Sequence, residues 1–277
     1  MLYYAQHHPF GSVKVEGARF DFRKAIEEKE ALLDQVRQAN YRDILEGQEH
    51  VTWFEGRGRF VSPNEVQVDG EVIQGERFIV ATGSSTRIIP FEGIDEVHYL
   101  TNREILRLRD LPESLIVIGA GPLGLEFAQM FSHFGSQVTV IEVAKRILPG
   151  ADAVISEALR RCLEGEGIEI YTEVRTRHLR EEGGFKIVEA EVDGIPREFK
   201  AKELLMATGV VGNVMDIGLE QAGVEAVGGA YIQVDEHYRT PRSACLLQAD
   251  RQAPGRHDLD EFHEYVGKIP FVLFVHS

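Results

Sequence analysis

From Phe20 to Leu45 apolar residues recur at a roughly helical spacing: Phe22, Ile26, Leu32, Leu33, Val36, Ile44 and Leu45 stand among charged neighbours, with Gly11 and Gly17 upstream. This period predicts one long amphipathic helix, its Glu27-Glu28-Lys29-Glu30 run forming a solvated face. From Val51 the period shortens to that of strands. Val51-Thr52-Trp53-Phe54, Gly58-Arg59-Phe60-Val61, Glu65-Val66-Gln67-Val68 and Glu71-Val72-Ile73 are short runs broken by Gly, Pro-Asn and the hairpin signal Asp69-Gly70. Trp53 and Phe54 read as sheet core. Arg77-Phe78-Ile79-Val80-Ala81 reads as a buried strand that stops at Thr82-Gly83.

Beyond Pro112 strands and helices alternate. Leu115 to Ile118 is an apolar strand, Leu123 to Phe134 a helix ending near Gly135, Gln137 to Ile141 a strand, Asp152 to Glu164 a helix and Gly167 to Tyr171 a strand. Repetition at this spacing predicts an α/β fold with a doubly wound, parallel, Rossmann-type sheet. Phe185 to Val192 and Arg197 to Phe199 read as a hairpin turned at Asp193-Gly194, and Leu204 to Gly209 as a further strand. Phe271 to Val275 is compatible with a strand, but no partner pattern precedes it, and residues 251–277 carry no assignment.

The 277 residues suffice for one or two domains, and 30 Lys and Arg against 45 Asp and Glu give a net charge of -15. That balance speaks against nucleic acid or an anionic membrane as partner, since both need a basic surface. No apolar run approaches the ~20 residues of a membrane span, and the first residues lack a basic stretch followed by an apolar one. With only Cys162 and Cys245, 83 positions apart, there is no Cys-x-x-Cys pair, and the reading is a cytoplasmic protein. Cys162, among Ile155, Leu159 and Leu163, reads as helix core, and Cys245, before Leu246-Leu247, as strand core. His7-His8, His257 and His263 lack cysteines or carboxylates at ligand spacing, so no metal site is expected.

The chemistry concentrates at Gly119-Ala120-Gly121-Pro122-Leu123-Gly124, a G-x-G-x-x-G that follows an apolar strand and opens a helix. In such a turn the first glycine bends the chain, the second lets the backbone approach a pyrophosphate, and the third lets helix and strand pack closely. Glu142 stands at the end of the next strand, 23 residues after Gly119. A carboxylate there can accept adenosine ribose hydroxyls and repels a 2′-phosphate, which favours NAD(H) over NADP. Lys145 and Arg146 lie beyond it and are expected to face solvent.

These segments resemble the FAD-dependent pyridine nucleotide-disulphide oxidoreductase family. Val80-Ala81-Thr82-Gly83-Ser84-Ser85 is similar to its first A-T-G segment, Gly119 to Glu126 to its nicotinamide fingerprint, and Met206-Ala207-Thr208-Gly209 to its second A-T-G. The resemblance runs from about Ala5 to Asp250, and Gly17 to Leu45 is most similar to the mercuric reductase branch, then to dihydrolipoamide dehydrogenases. It implies that Gly119, Ala120, Gly121, Pro122, Leu123, Gly124 and Glu142 hold NAD, that Glu126 lies near the nicotinamide, and that Val174 and Gly209 line the same pocket. It further implies that Gly58, Thr82, Gly83, Ser84 and Asp250 touch FAD. Residues 1–108 and 213–250 would form a partial FAD-binding domain of mixed sheet, and 109–212 the NAD-binding domain.

The chain departs from the family pattern in several places. It holds one G-x-G-x-x-G, no Cys-x-x-x-x-Cys and no C-terminal His-Glu pair of a dimerisation domain. Val210 and Val211 follow the second A-T-G where the family has an arginine, and Leu247-Gln248-Ala249-Asp250 lacks the glycine before its aspartate. The expectation is a chain that starts just downstream of the redox pair, with no catalytic residue of its own assigned and FAD binding weakened. It would act as an NADH-to-FAD oxidoreductase, as a nucleotide-binding module without turnover, either a truncated fragment or a subunit completed by another chain, or as a flavin-dependent NADH oxidase or quinone reductase; the partner would be such a complementing chain or a second copy in a homodimer.

Overall fold

The computed structural model describes residues 20–42, 51–235, 238–240 and 273–274. In chain order the elements are α1 (Phe22–Arg37), a π-helical turn (Gln38–Arg42), β1 (Gly58–Ser62), β2 (Glu65–Val68), β3 (Glu71–Gln74), β4 (Ile79–Val80), β5 (Ser84–Thr86) and α2 (Asn102–Ile105). Then follow β6 (Ser114–Ile118), α3 (Pro122–Phe134), β7 (Gln137–Ile141), α4 (Ala153–Gly165), β8 (Glu169–Tyr171), β9 (Arg175–Glu182), β10 (Phe185–Val192), β11 (Ile195–Ala201) and β12 (Glu203–Met206). β13 (Val210–Gly212), α5 (Leu219–Ala222), β14 (Ala226–Val227), β15 (Tyr231–Ile232) and β16 (Leu273–Phe274) complete the series.

The chain divides into two compact units, one of residues 1–36 and 86–209, the other of 37–85 and 210–277. In the first, β12, β6, β7 and β8 form a parallel sheet in that order. The alternation of side chains along each strand divides its apolar residues between two faces. Leu115, Val117, Val138, Val140, Ile170 and Leu205 pack with the helices, against Phe127, Phe131 and Leu163. Ile116, Ile118, Ile141, Leu204 and Met206 pack instead with Leu179, Val188, Ala190 and Phe199 of the antiparallel sheet β11-β10-β9. Both faces are thereby covered, which is why these strands read as near-continuous apolar runs. The expected nucleotide domain began at 109, whereas this unit also takes in residues 86–108 and α1.

Helix α1 differs from its expected packing. Phe22 and Ile26 are buried beside Phe131, yet Leu32, Leu33 and Val36, expected in the core, are exposed. The N-terminal half sits in an aromatic cluster in which Phe20 stacks on Phe134 at 4.6 Å. Glu27 and Glu28 are exposed as expected, but Lys29 donates to the Leu106 carbonyl and Glu30 pairs with Arg109 at 3.5 Å. The helix is therefore held by one apolar turn and by ion pairs, Arg23–Asp110 at 2.6 Å among them.

In the second unit β1, β2 and β3 form an antiparallel meander, with Phe60, Val66, Phe78 and Val80 in a core shared with Val214, Ile217 and Leu219. Phe60 meets the edge of Phe78 at 5.1 Å. The run at Val51 forms no strand, and Trp53, expected in the core, is exposed because no sheet face covers it; Phe54 alone packs against the core. In the tail that carried no assignment, Leu273–Phe274 forms a strand that pairs in parallel with β4. No described helix is long and apolar enough to cross a membrane, and among the described residues no three His, Cys, Asp or Glu side chains gather as a metal site would need.

One buried charge cluster has a measurable consequence. Lys186 is buried and pairs with Glu181 at 2.5 Å, and the Glu203 carboxyl beside them keeps one oxygen buried with no hydrogen-bond partner among the described residues. Burial raises the Glu203 carboxyl above the usual glutamate range, against the opposing pull of Lys186 and His98 and with that of Glu181. A raised folded-state value makes the protonated form the stabilising one, so this contribution is complete below the ordinary glutamate value and fades as pH rises through the raised one. Glu203→Gln should therefore melt higher than the parent at neutral pH, and the difference should close on acidification. A gap that is constant with pH in thermal scans contradicts this.

Candidate functional site

Strand β6 delivers the chain into the glycine turn at the C-terminal edge of the parallel sheet, where α/β folds place their ligands. Gly119 takes φ +109°, and a Cβ added to it would stand 2.3 Å from the Ala207 carbonyl oxygen. A Cβ on Gly124 would stand 2.2 Å from the Gly119 oxygen. Both glycines are thus required by the fold itself. Gly121 is different: its φ of -73° suits any residue, and a Cβ there would meet nothing within 4 Å. Among the described residues nothing explains why this position has no side chain.

Gly121 is also the N-cap of α3, makes no side-chain cap, and precedes Pro122 at the first turn. The opening amides of α3 therefore lack a side-chain acceptor from the cap, and they carry the positive end of the helix dipole. Such an end binds phosphate.

Glu142 closes the other side. It lies just past β7 and is 8% exposed, its N–H donating to the Tyr171 carbonyl and its own carbonyl accepting from Val174, each at 2.9 Å. The carboxylate accepts from two backbone amides, Ala120 through Oε2 at 2.7 Å and Ala144 through Oε1 at 2.8 Å. Each oxygen retains a further lone pair for a hydroxyl donor. Lys145 and Arg146 are exposed, and the Arg146 guanidinium donates to the Pro149 and Ala151 carbonyls, both at 3.3 Å.

The remaining nominated residues fall as follows. Ala120 is buried, while Leu123 and Glu126 are exposed on α3. The Val174 side chain is buried in the sheet core, and Gly209 is exposed, its carbonyl accepting from Arg87 at 2.9 Å. In the second unit Thr82 and Gly83 lie in the connection from β4 to β5, Ser84 opens β5 and Gly58 opens β1. Asp250 and Cys245 lie outside the described residues. Cys162, expected in the helix core, is exposed, because the buried stripe of α4 runs instead through Ser156 and Leu163.

Sequence reading missed Asn213, which holds the Thr82 turn from 131 positions away. Its Nδ2 donates to the Thr82 carbonyl at 2.9 Å, its backbone N–H to the Gly83 carbonyl at 2.9 Å, and its Oδ1 accepts from Ser85 at 2.7 Å. No local pattern marks such a residue. With the turn held in this way, the Thr82 hydroxyl is buried and has no hydrogen-bond partner among the described residues. A buried polar atom of this kind calls for a partner, and the turn therefore fits a polar ligand such as a flavin dinucleotide.

A family model described as pyridine nucleotide-disulphide oxidoreductase matches residues 7–244. The chain belongs to that family. Its members depend on FAD and use pyridine nucleotides. A mercuric reductase of Bacillus cereus is 33% identical over 246 residues, 89% of this chain and 39% of that protein. A dihydrolipoyl dehydrogenase of Mycobacterium bovis is 33% identical over 195 residues, 69% of this chain and 42% of that protein. The chain thus spans about two fifths of the length of these curated relatives. Among solved structures, the HOCl-induced flavoprotein disulfide reductase RclA from Escherichia coli superposes with a TM-score of 0.80 at 24% identity, covering 96% of this chain and 60% of its own. That likeness agrees with a Rossmann-type α/β fold.

Proposed function

We propose that this chain is the dinucleotide-handling part of an NADH-dependent flavoprotein reductase, with residues 86–209 binding NADH in preference to NADPH. The observation that carries the reading is the open space above Gly121, a position that the fold leaves free of a side chain without needing to. A pyrophosphate resting there takes hydrogen bonds from the α3 opening turn, and the adenosine ribose hydroxyls donate to Glu142. The Glu142 charge repels a 2′-phosphate. Arg146, committed to two loop carbonyls, is drawn away from the neutralising role that an NADP site requires.

On the flavin side Thr82, Gly83 and Ser84, held by Asn213, together with Gly58 and Asp250, are the residues that would hold FAD. When bound, that group accepts a hydride and passes electrons on to an acceptor. The chain's own part is positional: Glu126 and Gly209 border the nicotinamide end, and the buried Thr82 hydroxyl supplies a hydrogen bond. The nucleotide domain, expected over 109–212, is proposed to include residues 86–108 as well, and the flavin domain to draw on residues 37–85 and 213–250. The electron acceptor is not assigned to any residue.

Calorimetric titration tests the coenzyme reading. Each charge-assisted hydrogen bond from ribose to Glu142 contributes about 1.5–3 kcal/mol, so NADH should bind at least tenfold tighter than NADPH. Glu142→Ala should narrow the gap. Equal affinities, or tighter NADPH, would remove the assignment.

A further inference from the structure

We infer that Glu142 is a positioning residue for the phosphate-binding turn: its carboxylate bridges the backbone amides of Ala120 and Ala144 and holds the Gly119–Gly121 turn in its binding shape before any ligand arrives. The inference rests on the dinucleotide reading above and adds a second role to a residue otherwise assigned only to ribose recognition.

The geometry is specific. Ala120 lies between the first two glycines, is 0% exposed, and is pinned on both sides. Its N–H donates to Glu142 Oε2 at 2.7 Å, and its carbonyl accepts from the Leu148 N–H at 2.9 Å. Glu142 Oε1 takes the Ala144 N–H at 2.8 Å, which fastens the start of the same segment that ends at Leu148. The turn and the segment after β7 are therefore joined by two hydrogen bonds, Ala120 N–H to Glu142 and Leu148 N–H to Ala120, and a third, from Ala144 to Glu142, braces the carboxylate within that segment. Both partners of that carboxylate are donors, so only a side chain with two acceptor ends satisfies them. A glutamine would turn its amide N–H₂ toward one of the two N–H groups and leave a buried donor unmade.

The two roles make opposite predictions for an anionic ligand without ribose hydroxyls. If Glu142 serves only the ribose, its negative charge beside the phosphate site is a repulsion, and Glu142→Gln should tighten such a ligand or leave it unchanged. If Glu142 holds the turn, Glu142→Gln should weaken it.

The probe is 2′,3′-dideoxyadenosine 5′-diphosphate, which keeps the pyrophosphate and lacks both hydroxyls, with ADP as the reference. Expected results are an affinity for the dideoxy compound at least fivefold lower in Glu142→Gln than in the parent, and amide exchange at Ala120 and Ala144 at least tenfold faster in the ligand-free variant. The amides of β6 should keep their protection. Glu142→Asp retains the charge but is one methylene too short to span both amides, so it should show the same two losses. Unchanged dideoxy affinity, or unchanged exchange at Ala120 and Ala144 in both variants, overturns the inference. If the parent binds neither ADP nor NADH, the dinucleotide reading fails, whereas the exchange measurement still decides whether Glu142 holds the turn.

Discussion

Gly121→Val is expected to abolish dinucleotide binding while leaving the protein folded. The backbone at Gly121 lies at φ -73°, ψ 176°, which valine adopts readily, and a Cβ there meets no protein atom within 4 Å. The position caps α3 without using a side chain, and glycine is the better N-cap of the two, so the exchange to valine costs up to about 1 kcal/mol. Stability should therefore stay within about 1 kcal/mol of the parent, and the protein remains folded. The added methyl groups occupy the space a pyrophosphate must enter, so affinity for NADH should fall at least a hundredfold, about 2.7 kcal/mol. Because a ligand at 100 times its Kd stabilises by about 2.7 kcal/mol, the parent's melting temperature should rise with NADH and the variant's should not. A variant that keeps its circular dichroism and still binds NADH as the parent does would show that the open space serves no ligand.

What was legible in the sequence follows from how local each signal is. The parallel sheet was readable because strands buried on both faces become short apolar runs; Leu115–Ile118 and Leu204–Met206 have that form, and Gln137–Ile141 is broken only by Gln137 and Thr139. The fingerprint turn was readable because two of its glycines answer to contacts made within the same βα unit and its neighbour strand. Glu142 was readable by spacing alone, but the hydrogen bond that its carboxylate accepts from Ala120 was not, since it depends on where two loops meet.

The failures have the same origin. Periodicity shows that Leu32, Leu33 and Val36 share a stripe with Ile26, not where the surface beneath that stripe ends. Cys162 neighbours apolar residues along the chain, yet its direction on α4 is set by the stripe through Ser156 and Leu163 that faces the sheet. β9 escaped notice because its eight residues are largely polar, and only Leu179 is fully buried. Asn213 acts across 131 positions on carbonyl groups, which carry no sequence signature at all.

Gly119→Ala should fail in the opposite way from Gly121→Val, by unfolding rather than by losing its ligand. Two independent costs fall on one methyl group. The backbone at φ +109° lies in a region that L-residues rarely enter, and the new Cβ would stand 2.3 Å from the Ala207 carbonyl oxygen and 2.7 Å from its carbon. That carbonyl belongs to backbone and cannot swing aside as a flexible side chain would. Ala207 is fixed by its N–H to the Ile118 carbonyl at 2.8 Å, and Gly119 by its N–H to the Ile141 carbonyl at 2.8 Å. Relief therefore means parting β6 from β12 or β7, in a sheet whose buried residues fill both cores of the unit. Strain and overpacking of this kind together amount to about 3 kcal/mol or more, a large share of the stability of an ordinary domain. The measurement is the urea midpoint of ligand-free protein followed by circular dichroism, with Gly121→Val as the comparison. Because NADH at 100 times its Kd returns only about 2.7 kcal/mol, saturating ligand should restore the Gly119→Ala midpoint in part and leave the Gly121→Val midpoint unmoved. A Gly119→Ala midpoint equal to the parent's would mean that the turn can open without disturbing the sheet, and that the first glycine is not what holds it closed.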